Sequence, residues 1–288
     1  MARVHLLSDL HLSPTHGFFW ENWKIAREAT NAAAPDLVIV NGDLCINGPD
    51  SDDEMAFAAR ALQRLRAPVL VLPGNHDVGD EPPGQDAEQI VDAARLARWD
   101  AAFGADRFAV DSGAWRLVGL NALLFGSGLA REAEQDAWLD AELAATDRPM
   151  ALILHKPLFL GSPDEEGATA SCMTPVPRAR LLARLRAAGR QQGGVRLVVS
   201  GHLHSHRDFV HDGIRYLWIP ALAFLGKGYP GSTPLVASTV LDLSGAEARV
   251  EVQRLPGLVQ HDLAALKQHG RYRFLRDIPD CPPPADEV

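Results

Sequence analysis

Cysteine is scarce. The chain has three in 288 residues, Cys45, Cys172 and Cys281, odd in number, far apart and without a C-x-x-C pair. Neither a disulfide framework nor a thiolate zinc site is therefore expected, and a reducing, cytoplasmic setting fits. Basic charge is also in short supply, with a formal net charge of −9. That deficit argues against a broad footprint for duplex nucleic acid. Lysine is nearly missing, since Lys24, Lys156, Lys227 and Lys267 are the only ones, while alanine and arginine are plentiful. This bias suggests a GC-rich bacterial genome. No apolar run approaches the roughly 18 residues of a membrane span. The first strand begins at about Arg3, leaving no space ahead of it for the charged and apolar regions of a secretory signal.

Short apolar runs are what the sequence does contain. Val4 to Leu7, Leu37 to Val40, Val69 to Leu72, Met150 to Leu154 and Val195 to Val199 each read as a buried strand. Helical spacing is expected over Trp20 to Ala34, Asp52 to Leu65, Ile90 to Phe103, Glu132 to Ala145 and Arg178 to Arg190. Hairpins are expected around Asp111 to Ala114 and around Asp212-Gly213, the latter having the clearer turn chemistry. Further strands are expected near Leu235 to Leu243 and Ala248 to Gln253, followed by a short helix at about Asp262 to His269 and a Pro-rich end. Early strands alternate with helices and later ones pair through hairpins, which implies a mixed α/β fold with two packed sheets flanked by helices. The domain expectation is one unit over residues 1–255, with residues 256–288 as a C-terminal helix and Pro-rich tail.

Just past five of these runs lie Asp9-Leu10-His11, Gly42-Asp43, Gly74-Asn75-His76-Asp77, His155 and Gly201-His202-Leu203-His204. In open α/β sheets, sites form at the carboxyl ends of strands. Carboxylate, imidazole and amide oxygen together suit a divalent transition metal, and manganese, iron, zinc and cobalt all accept such donors, with manganese favoured here. Asp9 and His11, like His202 and His204, are two residues apart, so an extended segment can aim both to one side. The glycines at 42, 74 and 201 are expected to supply permissive dihedrals for close approach to an ion. Taken singly, an aspartate makes turns or caps and a lone histidine is structural. Five blocks in register with strand ends point instead to a dinuclear metallohydrolase.

These blocks resemble the calcineurin-like metallophosphoesterases, whose signature runs D-x-H, G-D, G-N-H-D/E, H and G-H-x-H. The class III cyclic nucleotide phosphodiesterases are the members it most resembles. The resemblance implies a four-layer αββα sandwich and two divalent or mixed-valence metal ions. It assigns Asp9, His11, Asp43 and His204 to the first ion, and Asp43, Asn75, His155 and His202 to the second, with Asp43 bridging. His76 and Asn75 then become the catalytic pair facing the substrate. Two ions roughly 3.5–4 Å apart lower the pKa of bound water, so a bridging hydroxide attacks phosphorus in line. The expected substrate is a small phosphodiester of the cyclic nucleotide, nucleotide or glycerophosphodiester type. A phosphomonoesterase or protein phosphatase is the enzymatic alternative, and a non-catalytic scaffold the other.

Several neighbours are open to two readings. Phe18, Phe19 and Trp20 can form a stacking wall or a helix staple. Asn121 can be a polar contact or a turn residue. Lys156, Phe125 and Phe159 lie on segments that can border a cleft, and residues 156–176 form a long, loop-like stretch. Asp77 is expected to order its turn rather than bind metal. His5 is expected in the sheet, and His16, His261 and His269 at the surface.

Overall fold

The computed structural model describes residues 2–84, 87–166, 170–188, 193–263 and 279–285. The chain runs β1 (Arg3–Leu7), α1 (Trp20–Ala33), β2 (Leu37–Asn41), α2 (Asp52–Leu62), β3 (Val69–Leu72), α3 (Asn75–Val78), α4 (Ala93–Phe103), β4 (Phe108–Ser112), β5 (Trp115–Leu120) and α5 (Ala130–Ala144). It continues β6 (Met150–Leu154), α6 (Pro175–Ala188), β7 (Val195–Ser200), β8 (Ser205–His211), β9 (Ile214–Trp218), β10 (Thr233–Pro234), β11 (Ser238–Asp242) and β12 (Arg249–Gln253).

Two sheets result, ordered β12-β11-β1-β2-β3 and β10-β8-β9-β7-β6-β5-β4. β1, β2 and β3 are parallel, as the β-α-β-α-β opening requires, and β11 closes on β1 antiparallel. In the second sheet β5, β6, β7 and β9 are parallel, while the hairpin partners β4 and β8 run against them. Alternate residues of each strand face the other sheet: Val4, Leu6 and Ile39 from one side pack with Leu117, Ile153, Val199 and Leu217 from the other. Their opposite faces pack against the helices, so Leu7, Val38 and Val40 join Trp23, Ala26 and Ala58. Burial on both faces explains why the strands read as unbroken apolar runs. Each fully buried Ile, Leu or Val contributes roughly 1.5–3 kcal/mol. The result is the expected αββα arrangement of two mixed sheets flanked by helices.

Helix starts follow local chemistry. The Ser51 side chain accepts from the Glu54 N–H to cap α2, and the Asp92 side chain accepts from Arg95 N–H to cap α4. α6 begins at Pro175, three residues earlier than the spacing suggested, with Pro177 still in its first turn. Proline is tolerated there because the first-turn N–H groups have no intrahelical partner. The stretch expected as one strand from Leu235 is divided into the short β10 and β11. Most of the helix expected at Asp262 to His269 lies outside the described residues. Of the C-terminal segments, Val259 is held by the Asn22 side chain, which accepts from its N–H (2.8 Å) and donates to its carbonyl (2.9 Å). Cys281 pairs with the first-block loop through Thr15 O (2.8 Å) and Gly17 N–H (2.9 Å). No described helix is long and apolar enough to cross a membrane.

Candidate metal centre

The carboxyl ends of β1, β2 and β3 in one sheet and of β6 and β7 in the other open onto a common edge. Backbone bonds fasten their loops together: Leu10 and His11 N–H both donate to Asp43 O (2.8 and 3.0 Å), and Gly201 N–H donates to His155 O (2.9 Å). The five sequence blocks are thereby gathered. Donor atoms of Asp9, His11, Asp43 and His204 all lie within 4.8 Å of one another, and so do those of Asp43, His155 and His202. Asp43 is common to both groups.

Each carboxylate uses both oxygens. Asp43 Oδ1 accepts the His76 backbone N–H (2.8 Å), while Oδ2 faces His155 Nε2 at 3.2 Å and His11 Nε2 at 3.8 Å. Asp9 Oδ2 accepts from Ser8 Oγ (2.5 Å), the His202 N–H is shared between Oδ2 (3.1 Å) and Oδ1 (3.2 Å), and Oδ1 also lies 3.1 Å from His204 Nε2. The imidazoles are oriented by backbone carbonyls, which only accept. His155 Nδ1–H donates to Asn41 O (2.7 Å), His204 Nδ1–H to Phe224 O (2.8 Å) and His202 Nε2–H to Ala170 O (2.8 Å). The tautomers follow: Nε2 of His155 and His204 and Nδ1 of His202 carry the lone pairs. His76 Nδ1 is likewise engaged, with Ile46 O at 2.9 Å.

Donor chemistry fits two cations. His155 Nε2 is buried with no hydrogen-bond partner, 3.2 Å from a carboxylate oxygen. His204 Nε2 lies 3.3 Å from His11 Nε2. Burial opposes ionisation of Asp9 and Asp43, yet the surrounding histidines hold Asp9 at about 2 and Asp43 well below the usual carboxylate range. Burial also disfavours a charged His155, but Asp43 and Asp9 outweigh it and raise the group to about 9. In the metal-free protein a proton on His155 thus stands where a cation would be expected. Burial and His155 together drive His202 down to about 3, which keeps it a neutral donor.

The glycine expectation needs revision. Gly42 has φ +81, as foreseen, and a Cβ on it would sit 2.3 Å from His155 Nδ1. Gly74, however, is extended (φ −107), and its contribution is space: a Cβ would lie 2.1 Å from Asp43 Oδ1. The unusual dihedrals belong instead to the candidate ligands themselves. Asp9, His11, Asp43, His202 and His204 have φ between 46° and 67°, five of the seven non-glycine residues in the left-handed region among the described residues. Such conformations gather at functional sites.

Other expectations sort out plainly. Asp77 is buried and accepts N–H bonds from Gly74 (2.8 Å), Leu44 (3.0 Å) and Cys45 (3.0 Å), so it orders the turn. Asn121 caps a turn through Leu123 N–H and donates to Asp106, which is the structural reading. Phe19 and Trp20 are buried, so a stacking wall of all three aromatics is not formed, and only Phe18 is exposed. Phe125, Phe159 and Lys156 do not border a cleft but are buried. His5 is buried in β1, while His16 and His261 are half-buried, and His269 lies outside the described residues. Phe224 was not anticipated. Its ring packs 4.1 Å from that of His204 and 5.0 Å from that of His11, and Phe19 continues the stack 5.4 Å away.

Similarity to known proteins follows the same site. The chain is 30% identical over 192 residues to the serine/threonine-protein phosphatase CPPED1 of Danio rerio, covering 62% of this chain and 57% of that one. It is 32% identical over 129 residues to the glycerophosphodiester phosphodiesterase GpdQ of Enterobacter lignolyticus, covering 43% and 42%. It is 26% identical over 230 residues to the 3',5'-cyclic adenosine monophosphate phosphodiesterase CpdA of Escherichia coli K12, covering 76% and 73%. This chain thus spans about half the length of the first two relatives. In fold it is similar to the purple acid phosphatase PPD1 of yellow lupin, with a TM-score of 0.65 at 14% identity, covering 91% of this chain and 52% of that one. The model of the calcineurin-like phosphoesterases matches residues 2–206, a span that contains every ligand block, and the chain belongs to that family.

Proposed function

We propose that this chain hydrolyses a small phosphodiester at a two-metal centre. The observation that carries the reading is the sharing of the Asp43 carboxylate between two donor groups, one completed by Asp9, His11 and His204 and the other by His155 and His202. Asn75, buried at the start of α3 beside His76, is the residue that would complete the second group. Bound divalent ions would supply Lewis acidity and an activated water at neutral pH. The chain's residues do the rest. Asp43 and Asp9 would fix the donors, Asn75 and His76 would stabilise the phosphoryl oxygens, and His76 would hold a proton for the departing alkoxide. Manganese is the favoured ion and the cytoplasm of a bacterium the favoured setting.

A diester is favoured over a monoester on charge. Lys156, the cation adjacent to the site in sequence, is committed to Asp80 and Glu81 and is not offered to a dianion. Similarity to GpdQ and CpdA points the same way, whereas similarity to CPPED1 supports the phosphatase alternative. The test is to strip the protein of metal, reload it with manganese, and compare bis-p-nitrophenyl phosphate with p-nitrophenyl phosphate. Faster diester cleavage is expected. Faster monoester cleavage would favour the phosphatase, and no metal-dependent cleavage of either would favour the scaffold.

His76 provides a second check. General acid catalysis contributes about 10²–10⁴-fold, and most for a poor leaving group. His76→Ala should therefore depress hydrolysis of alkyl phosphodiesters by about 10²-fold or more while costing p-nitrophenyl esters much less. Equal losses on both, measured as kcat/KM, would remove the general-acid role.

A further inference from the structure

Beside the second half of the centre lies a buried ionic cluster with no role in the chemistry above. Lys156 follows His155 directly and is completely buried, with Nζ 2.9 Å from Asp80 Oδ1 and 3.4 Å from Glu81 Oε1. Asp80 and Glu81 belong to the loop leaving α3, the helix that carries Asn75 and His76. Glu81 Oε1 also accepts the Thr174 N–H (3.0 Å), and Met173 N–H donates to Pro157 O (2.8 Å). The same 170–174 segment supplies the Ala170 carbonyl that orients His202 (2.8 Å).

Three pieces of chain are therefore tied together, the 80–81 loop to Lys156 directly and the 170–174 segment through Glu81 and Pro157. Each carries or touches a residue assigned to the second ion alone: Asn75, His155 and His202. Of the first-ion residues, Asp9 is held by Ser8 as well as by the His202 N–H, and His204 by Phe224, and none of these bonds involves the ionic cluster. We infer that Lys156 is a positioning residue for the second metal ion, clamping the loops that carry its three private ligands, with Asp80 and Glu81 as the clamp's other jaw. The inference rests on the two-metal reading. The Lys156 ammonium pairs with the Asp80 carboxylate, while burial pushes Glu81 up to about 8, so one buried ion pair holds the cluster and removing one of its partners leaves uncompensated charge. Groups that orient metal ligands are typically worth 10–100-fold in affinity.

The test is manganese binding by the metal-stripped, full-length chain, followed by calorimetry and by electron paramagnetic resonance, which distinguishes an exchange-coupled pair from a lone ion. The variant is Lys156→Met with Asp80→Asn, which removes charge from both sides at nearly constant volume. The wild type should bind two ions and show the coupled signal. The double variant should keep the first ion at wild-type affinity, bind the second about 10–100-fold more weakly, and give an uncoupled spectrum like that of His155→Ala. Two ions at wild-type affinity in the double variant would overturn the inference alone. Loss of both ions from a variant with wild-type circular dichroism and melting temperature would also overturn it, because the effect would not be confined to one half. One ion only in the wild type would overturn the two-metal reading and the inference together. If the double variant does not fold, Asp80→Asn alone carries the same test: selective weakening of the second ion supports the clamp, and unchanged binding of both overturns it.

Discussion

Asp43→Asn is expected to lower metal-dependent phosphodiesterase activity by at least about 10³-fold, since metal ions supply several kcal/mol of transition-state stabilisation and each 1.4 kcal/mol is tenfold in rate. The substitution preserves volume but removes the charge that belongs to both donor groups. Asp43 Oδ1 accepts the His76 N–H, and an amide oxygen can continue to do so. Oδ2 lies 3.2 Å from His155 and 3.8 Å from His11, and there a neutral amide offers a weaker donor to one cation and cannot bridge two. Manganese content after reloading should fall below two per chain while circular dichroism is unchanged. A fully active variant that holds two ions would dismiss Asp43 as the bridging residue.

Gly74→Ala is expected to be nearly as damaging, for a different reason. Alanine suits the extended backbone at this position (φ −107), so no conformational penalty arises. Space is the difficulty: the added Cβ would stand 2.1 Å from Asp43 Oδ1 and 2.3 Å from Asp43 N. The second of these is backbone, anchored through Asp43 O to the first ligand block, and it has no alternative rotamer. Overpacking of this kind costs about 1–3 kcal/mol, which lowers the melting temperature by roughly 2–4 °C per kcal/mol in a chain of somewhat smaller size. Displacing Asp43 by about 1 Å would lower kcat by about 10²-fold. The control is Gly245→Ala, where the nearest atom to a new Cβ is 3.9 Å away and little should change. Wild-type kcat and melting temperature in Gly74→Ala would refute the steric account.

The parts of the molecule legible in sequence are those set by local pattern. β1, β2, β6 and β7 announce themselves because both faces are largely buried, β3 does so by its apolar run although it is mostly half-buried, and the candidate ligand blocks stand where each run stops. His155, with no motif of its own, still falls beside Asp43 because the end of β6 is tied to the end of β2 in the other sheet, His155 Nδ1–H donating to Asn41 O and the Asn41 amide donating to Leu154 O. What escaped the reading depends on contacts between distant segments. Lys156 gives no local sign of its buried pairing with Asp80, 76 residues away, and Phe224 reads as an ordinary apolar residue until its carbonyl orients His204. Asn22 gives no warning that it anchors Val259 from the far end of the chain. The start of α6 is masked in sequence because Pro175 and Pro177, ordinarily loop signals, here occupy its first turn.

Left-handed backbone at Asp9, His11, Asp43, His202 and His204 has a consequence for how such a chain changes over time. For L-residues the conformation costs roughly 1–2 kcal/mol each, somewhat less for Asp and His, so five together approach the whole net stability of a domain. Glycine at any of these positions would relieve the backbone and give a poorer site. Backbone ease and chemistry therefore pull in opposite directions at the same five residues. A descendant released from hydrolysis would slide towards losing them, shedding strain with each step. Ligand loss in a scaffold is in this sense downhill, and a chain that keeps all five side chains retains them against the preference of its own backbone.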